Sequence, residues 1–449
     1  MLRTAPVCRA LFVCVCVCVC VCVCVLRKSL YVLLQRAAHH VCMLVDVSMA
    51  KTYGNICTLW LGHRPVVVLY GFQAVKDGLT TNSEDVSGRL QTFVFNKLAN
   101  GKGILVSNGL IWKQQRHFGI GALRKLGMGN KGMERGIQTE AHYLVEFFRD
   151  KDGKAVDPSF PIVHAVSNVI CAVVFGHRFS LEDETFRQLI EAYNAIVAFG
   201  NSRIYFEIKS HREKGRIGEP EDFIDFYLDQ IEKTKNIPNS TFDEDNMVQS
   251  VFDLFFGGTE TTATTLRWAL LYMLAYPDIQ EKVQKELDAV LSPSHLICYE
   301  DRKKLPYTNA VVHEILRFSS IVLITIPRET VKDTTVLGYR LPKGTLIMAN
   351  IDSTLFDPDY WETPHQFNPG HFLDKDGNFV TREAFLAFSA GHRACLGEVL
   401  AKMELFIIFC RLLQTFKFTT PEGVKEVNTD FVFGSTMKPH PYKLCAVPR

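Results

Sequence analysis

The sequence predicts a mainly α-helical chain with a small, segregated β portion. Three observations carry that expectation. Apolar residues recur at helical spacing through most of the body, strand-like runs come only as short hairpin-like pieces, and strands and helices do not alternate regularly. With 449 residues the chain is long for one globular domain and short for three. It is 47% hydrophobic and 22% charged, too apolar to stay disordered. Fifty basic against 48 acidic side chains leave a net charge of +2, which argues against a protein that binds nucleic acid by broad phosphate neutralisation.

The elements follow in order. Ala10 to Leu26 is uncharged, with Arg9 before it and Arg27-Lys28 after it. Its length is at the lower edge for a membrane-spanning helix, and the basic flank prefers the cytoplasm. No small-residue cleavage site follows, so an uncleaved anchor fits better than a signal peptide. Within this stretch Cys14, Cys16, Cys18, Cys20, Cys22 and Cys24 alternate with valine, as a translated GT repeat would. Residues 1–45 therefore read either as an anchor or as a gene-model artefact. The later cysteines are scattered singly, without a C-x-x-C pair, so zinc-ribbon and thioredoxin readings fail and a reduced, cytosol-facing body is expected.

Residues 46–449 form the expected catalytic domain. Asn55 to Leu61 and Val66 to Tyr70 read as strands joined by a Gly62-to-Pro65 turn, and Gln73 to Leu79 as a short helix. Helices are expected over Trp112–Lys125, Gly136–Phe148, Phe160–Phe175, Phe186–Ala198, Asp222–Lys233 and Tyr307–Phe318. Hairpin-like pieces sit around Thr335 to Leu346 and at the carboxyl end. Gly127-Met128-Gly129-Asn130-Lys131-Gly132 matches the dinucleotide fingerprint but follows helical sequence rather than a strand, and is a decoy.

Three places suit chemistry. The longest helix candidate runs from about Asp243 to Ala275, capped by Ser240 or Thr241, and its ~50 Å would cross a whole domain. Its middle reads Gly257-Gly258-Thr259-Glu260-Thr261-Thr262. A buried glutamate there needs a task or a partner; the bland reading is a close helix–helix contact. The second place is Phe388-Ser389-Ala390-Gly391-His392-Arg393-Ala394-Cys395-Leu396-Gly397, a glycine-bearing loop opening a helix. Cys395 would meet free backbone N–H groups at that helix end, with Arg393 adding positive charge, and both favour a thiolate. The third is Glu314 and Arg317, three apart on one helix face, a spacing informative only in company.

In company, these residues resemble the cytochrome P-450 family. Phe388 to Gly397 fits the F-x-x-G-x-R-x-C-x-G haem-binding signature, Gly257 to Thr262 its oxygen-activation segment, and Glu314/Arg317 its E-x-x-R pair. Trp112 to Arg116 is similar to its W-x-x-x-R. The likeness runs from about Thr52 to Arg449 and is nearest the vertebrate family-2 enzymes, the J-type branch and its fish relatives. It implies a haem held between the long central helix and the Cys-loop helix, with Cys395 as the metal ligand. Trp112, Arg116, Arg328 and Arg393 would pair with the propionates. Thr261, helped by Glu260, would relay protons, and Gly257 and Gly258 would leave room for dioxygen. Glu314, Arg317 and His371 would brace the fold, with Phe367 to Phe372 closing that network. The Leu90 to Ile104 loop, Phe255, Ile321 to Ile326 and Ser435 to Met437 would line the substrate cavity.

The resemblance further implies a monooxygenase that acts on apolar substrates: fatty acids such as arachidonate, through epoxidation or hydroxylation, xenobiotics, or steroids. Its cofactor would be haem b. Electrons would come from NADPH through NADPH–cytochrome P-450 reductase docking near Arg116, Arg124, Lys125, His392 and Lys402, with a small membrane haem cytochrome as a second donor. The expected location is the endoplasmic reticulum membrane, catalytic domain facing the cytoplasm. Two departures stand out: the proline-rich hinge after the anchor is absent, and 186–222 is short, which removes part of the expected cavity roof. Two rivals remain: a reductase-independent haem-thiolate isomerase, against which Glu260-Thr261 argues, and a non-catalytic or misfolded haem-binding product of a defective gene model.

Overall fold

The computed structural model describes residues 47–449 except 62–63, 92–98, 130, 181, 184–185, 187–203, 205–206 and 214–218. The expected anchor, most of the Phe186–Ala198 helix and most of the shortened 186–222 segment lie outside the described residues. No described helix is long and apolar enough to cross a membrane.

The described elements begin with α1 (Val47–Tyr53), β1 (Ile56–Leu61), β2 (Arg64–Leu69), α2 (Gly71–Thr80) and β3 (Gly88–Arg89). A helical body follows: α3 (Gly109–Lys125), α4 (Lys131–Arg149), α5 (Ser159–Phe175), α6 (Phe223–Thr234), α7 (Glu244–Ala275), α8 (Pro277–Val290) and α9 (Pro306–Ser319). The chain returns to strands at β4 (Arg328–Glu329), β5 (Thr334–Val336), β6 (Tyr339–Leu341) and β7 (Leu346–Ala349). After α10 (Asp352–Leu355) comes α11 (Glu398–Thr415), then β8 (Phe416–Thr419), β9 (Phe431–Val432), β10 (Lys438–Pro439) and β11 (Cys445–Pro448).

The main sheet has the order β1-β2-β7-β4-β3, with β2 and β7 parallel and the other pairs antiparallel. Alternation along β2 divides its side chains between two cores: Val66, Val68 and Tyr70 on one face, Val67 and Leu69 on the other. The largest core surrounds α7, which packs against α5, α9 and α11. The mainly α class with segregated strands therefore holds. The 32-residue α7 is capped by Asp243, whose Oδ1 accepts the Asn246 N–H at 2.7 Å, and not by Ser240 or Thr241. Thr241 instead donates its hydroxyl to Gln114 at 2.6 Å, tying the start of α7 to α3.

The glycine decoy is the turn between α3 and α4, with Gly127 and Gly129 at φ +93 and +84. No strand precedes it, so the nucleotide reading is closed.

Glu314 and Arg317 are not a surface pair. Both are fully buried in α9 and make two parallel bonds of 2.7 Å, with Arg317 Nη1 and Nη2 also donating to the Leu355, Pro364 and Gln366 carbonyls. His371 Nδ1 faces both Glu314 oxygens at 3.2 Å, while its Nε2 accepts the Thr363 N–H. The Asn368 N–H adds a bond to Glu314 at 2.8 Å, so the network closes through 368–371. Removing one partner strands a buried charge. Arg317→Leu should lose about 3–5 kcal/mol of stability, and Arg317→Lys, which cannot reproduce the fork, should lose a large part of it. Denaturant unfolding of both variants beside the parent checks this.

Candidate active site

Cys395 sits just before α11, whose N-cap Gly397 has no capping side chain. The first N–H groups of that helix are therefore available, and those of Gly397 and Glu398 point at the cysteine sulfur. The loop is closed by the Cys395 N–H donating to the Phe388 carbonyl at 2.9 Å. Gly391, at φ +72, approaches α2 so closely that a Cβ would lie 1.9 Å from the Leu79 carbonyl oxygen, so only glycine fits.

Cys395 is exposed. Protein surrounds the sulfur closely enough that burial pushes the thiol up. The Gly397 and Glu398 amides and Arg116 pull it down, and the Glu398 carboxylate opposes them; the net direction is upward. The helix amides thus act in the expected direction, and the sequence expectation is corrected in one respect: the cation that acts on the sulfur is Arg116 rather than Arg393.

Arg393 is committed elsewhere. Its Nε and Nη2 donate to the Ser87 and Ser107 carbonyls at 2.8 and 2.7 Å, its Nη1 reaches the Ile104 carbonyl at 3.3 Å, and its plane lies 4.0 Å from the Trp112 ring centre. Burial first, then Arg89, Arg328 and Arg116, push Arg393 down to about 8; burial and Arg116 push Arg328 down to about 10. A guanidinium keeps its proton in a protein. The shifts therefore measure how poorly this cluster of positive charge is compensated. Arg116, Arg328 and Arg393 form no ion pair among the described residues.

The cluster leaves donors open. Arg328 Nη2 holds the Ser389 hydroxyl and the Ala390 carbonyl, but its Nε and Nη1 are buried without partners among the described residues, as is Trp112 Nε1. Arg116 Nη2 donates to the Ala394 carbonyl at 2.7 Å. Orphaned donors on a buried cationic wall, beside a cysteine faced by helix amides, suit a group with two carboxylates and a thiolate-seeking iron. The residues present thus fit the haem that the resemblance implies. Three carbonyls take three of the five Arg393 N–H groups, so its expected propionate role would fall to the second N–H of Nη1 and of Nη2.

Across α7 the expected segment divides. Gly257 is exposed, and a Cβ placed there would meet nothing within 4 Å among the described residues, whereas a Cβ on Gly258 would come within 2.4 Å of Ile170 in α5. Gly258 therefore serves a close helix–helix approach, which corrects its expected role of leaving room for dioxygen. Thr261 donates its hydroxyl to the Gly257 carbonyl at 2.8 Å, and Glu260 turns toward β10. Of the expected cavity lining, Phe255, Thr436 and Met437 are buried, and 92–98 lie outside the described residues. On the opposite side Arg124, Lys125 and His392 are exposed, while Lys402 is paired with Glu398 at 2.7 Å.

Sequence reasoning missed Arg89, Asp253 and Lys438, and placed Thr436 in the cavity lining without seeing its bond to Glu260. Arg89, isolated in sequence, is buried and donates to the Leu105 and Ile326 carbonyls. Asp253, an acid in the apolar run Val251 to Phe256, could have been found by the argument applied to Glu260. It accepts the Ile104 and Leu105 N–H groups at 2.6 and 2.9 Å and a side-chain bond from Gln249.

Comparison with known proteins agrees with this geometry. The family model described as Cytochrome P450 matches residues 29–209 and 194–446. Cytochrome P450 2J2 of Homo sapiens is 41% identical over 89% of this chain and 86% of its own length. Cytochrome P450 2K1 of Oncorhynchus mykiss is 40% identical over 91% and 87%, and Cytochrome P450 2C8 of Homo sapiens 39% identical over 89% of both chains. The chain belongs to the cytochrome P450 family, and is a haem monooxygenase whose haem b is bound through a cysteine thiolate.

Enclosure by protein pushes Asp253 up to about 6, against the three bonds that pull it down. Between the ordinary carboxylate value of about 4 and that value, the folded state keeps a proton the unfolded state has lost. The stability this group contributes is full below pH ~4 and is lost as pH rises through ~6. Melting temperatures at pH 5 and pH 7 should therefore show the parent's margin over Asp253→Asn shrinking at the higher pH.

Proposed function

We propose that in this cytochrome P450 Cys395 is the cysteine that holds the haem iron, and that the chain oxidises apolar substrates with electrons from NADPH. The observation that carries the assignment is the pairing of Cys395 and its two helix amides with the orphaned donors of Arg328 and Trp112. Arg328, Arg116 and Trp112 would bond the propionates directly. Arg393 would add its charge, its stacking on Trp112 and the second N–H of Nη1 and of Nη2. Phe388 and Gly391 would shape the loop that presents the sulfur.

When bound, the haem supplies a thiolate-ligated iron that activates dioxygen. Over one cycle RH, O2, NADPH and H+ become ROH, H2O and NADP+, so protons must be delivered in a defined place. Thr261 suits that task. Its hydroxyl hydrogen is spent on the Gly257 carbonyl, which leaves its oxygen free to accept a bond from water. Glu260, the adjacent acid, would exchange protons with that water, and Gly257 keeps the helix face open there. Glu314, Arg317 and His371 would hold the surrounding backbone rigid.

The substrate class follows from the branch resemblance: fatty acids such as arachidonate, xenobiotics or steroids. NADPH–cytochrome P-450 reductase would approach the exposed Arg124, Lys125 and His392, and a small membrane haem cytochrome could use the same charges. The endoplasmic reticulum membrane is the matching location, with the catalytic domain toward the cytoplasm.

The test is the carbon-monoxide difference spectrum of the reduced, purified chain. A strongly red-shifted Soret band is expected in the parent and not in Cys395→Ser. Arg328→Leu should keep the shifted position with less haem retained. An unshifted parent band overturns the assignment. With a shifted band in hand, reductase, NADPH and arachidonate should yield hydroxylated or epoxidised product.

A further inference from the structure

We propose that Lys438 is the positioning residue for Glu260: with Thr436 it fixes one carboxylate oxygen so that the other is presented for proton exchange beside Thr261. The inference rests on the reading in which Glu260 and Thr261 handle protons. It adds a residue from β10, far away in sequence, to that pair.

Glu260 lies in the middle of α7, only 7% exposed. An acid there needs compensation, and its own helix offers none of opposite charge nearby in sequence. Lys438 Nζ lies 2.7 Å from Glu260 Oε1, and the Thr436 hydroxyl donates to the same oxygen at 3.0 Å. Oε2 has no hydrogen-bond partner among the described residues. The two oxygens are thus inequivalent. A carboxylate without such a clamp can rotate and offer either oxygen, because its terminal torsion is broad and two-fold. Here the rotation is stopped by two donors on one side.

The clamp is anchored independently of the ion pair. Trp268 Nε1 donates to the Met437 carbonyl at 2.8 Å, and the Met437 N–H donates to the Ile321 carbonyl at 2.9 Å. Thr436 also lies 3.3 Å from the Thr264 hydroxyl, one turn along α7 from Glu260. Lys438 itself pairs with Val432 across the β9–β10 ladder. The backbone that carries Lys438 therefore stays in place when its side chain is shortened, and a substitution reports on the carboxylate rather than on the strand.

The experiment uses the purified holoenzyme as parent, Lys438→Met, Lys438→Arg, Glu260→Gln and the Lys438→Met/Glu260→Gln pair. All should keep the red-shifted carbon-monoxide band. With reductase, Lys438→Met should release several-fold more hydrogen peroxide per NADPH (O2, NADPH and H+ giving H2O2 and NADP+) and show a larger solvent deuterium effect. Oxidation of tetramethyl-p-phenylenediamine by cumene hydroperoxide, which bypasses proton delivery to dioxygen, should stay at the parental rate. Lys438→Arg should restore the parental peroxide yield, and adding Lys438→Met to Glu260→Gln should change nothing further. A parental peroxide yield in Lys438→Met, an equal effect in both backgrounds, or an equal loss in the hydroperoxide reaction overturns the proposal. A parent without the shifted band overturns the haem-thiolate assignment instead. The clamp is then read from thermal unfolding, where the double variant should melt no lower than the worse single variant; strictly additive losses overturn it.

Discussion

The constraint on which the rest of the site depends is buried positive charge that no carboxylate among the described residues meets. Arg116, Arg328 and Arg393 converge on the Cys loop, and their nearest compensation is the carbonyl oxygens of Ser87, Ile104, Ser107, Ala390 and Ala394. Carbonyl dipoles satisfy N–H groups but neutralise only part of a full charge. The fold therefore gives up stability here and keeps a strong local attraction for an anion. Elsewhere it does the opposite: Glu314 and Arg317 are equally buried, but each charge has its partner and every guanidinium nitrogen is bonded. One arrangement braces the fold, and the other is poised for a ligand.

That charge also organises backbone. Between Gly103 and Asn108 the Ile104 and Ser107 carbonyls turn toward Arg393 and the Leu105 carbonyl toward Arg89, while the N–H groups at 104 and 105 turn the other way, to Asp253 in α7. Its peptide dipoles are thus aligned between an acid and a set of cations, each of which favours the same orientation. The result connects the central helix to the Cys loop through a segment with no regular secondary structure. Regular ladders were not needed because side-chain charges took over the task of satisfying the peptide groups.

The sequence made the α-helical class, the long central helix and the Cys loop legible, because helical periodicity and a glycine-bearing helix entry are local signals. What it left hidden was partnership. Asp243 displaced Ser240 and Thr241 as cap because the Asp243-to-Asn246 spacing closes the bond and Thr241 had a partner in α3. Arg393 looked wholly available to an anion, yet three distant carbonyls take three of its five N–H groups. Gly258 looked chemical until Ile170 of α5 filled the space opposite. Lys438 had no signal at all, since its only meaning comes from an acid in another element.

The middle of α7 shows why a single stretch carried both a structural and a chemical reading. At 3.6 residues per turn each step rotates about 100°, so Gly257 and Thr261 share one stripe, while Gly258 and Glu260 lie about 80° to either side of its centre. The stripe itself is open: Gly257 meets nothing, and the Thr261 hydroxyl is turned back onto it. On one flank Gly258 lets α5 approach, and on the other Glu260 is held by Lys438 and Thr436. Close packing on one side and an ion pair on the other fix the rotation of the helix about its own axis. A strip of helix with little side-chain bulk is thereby kept open, although glycine and threonine are poor helix formers. The weak local propensity is tolerated because both flanks, not the stripe, hold the helix in place.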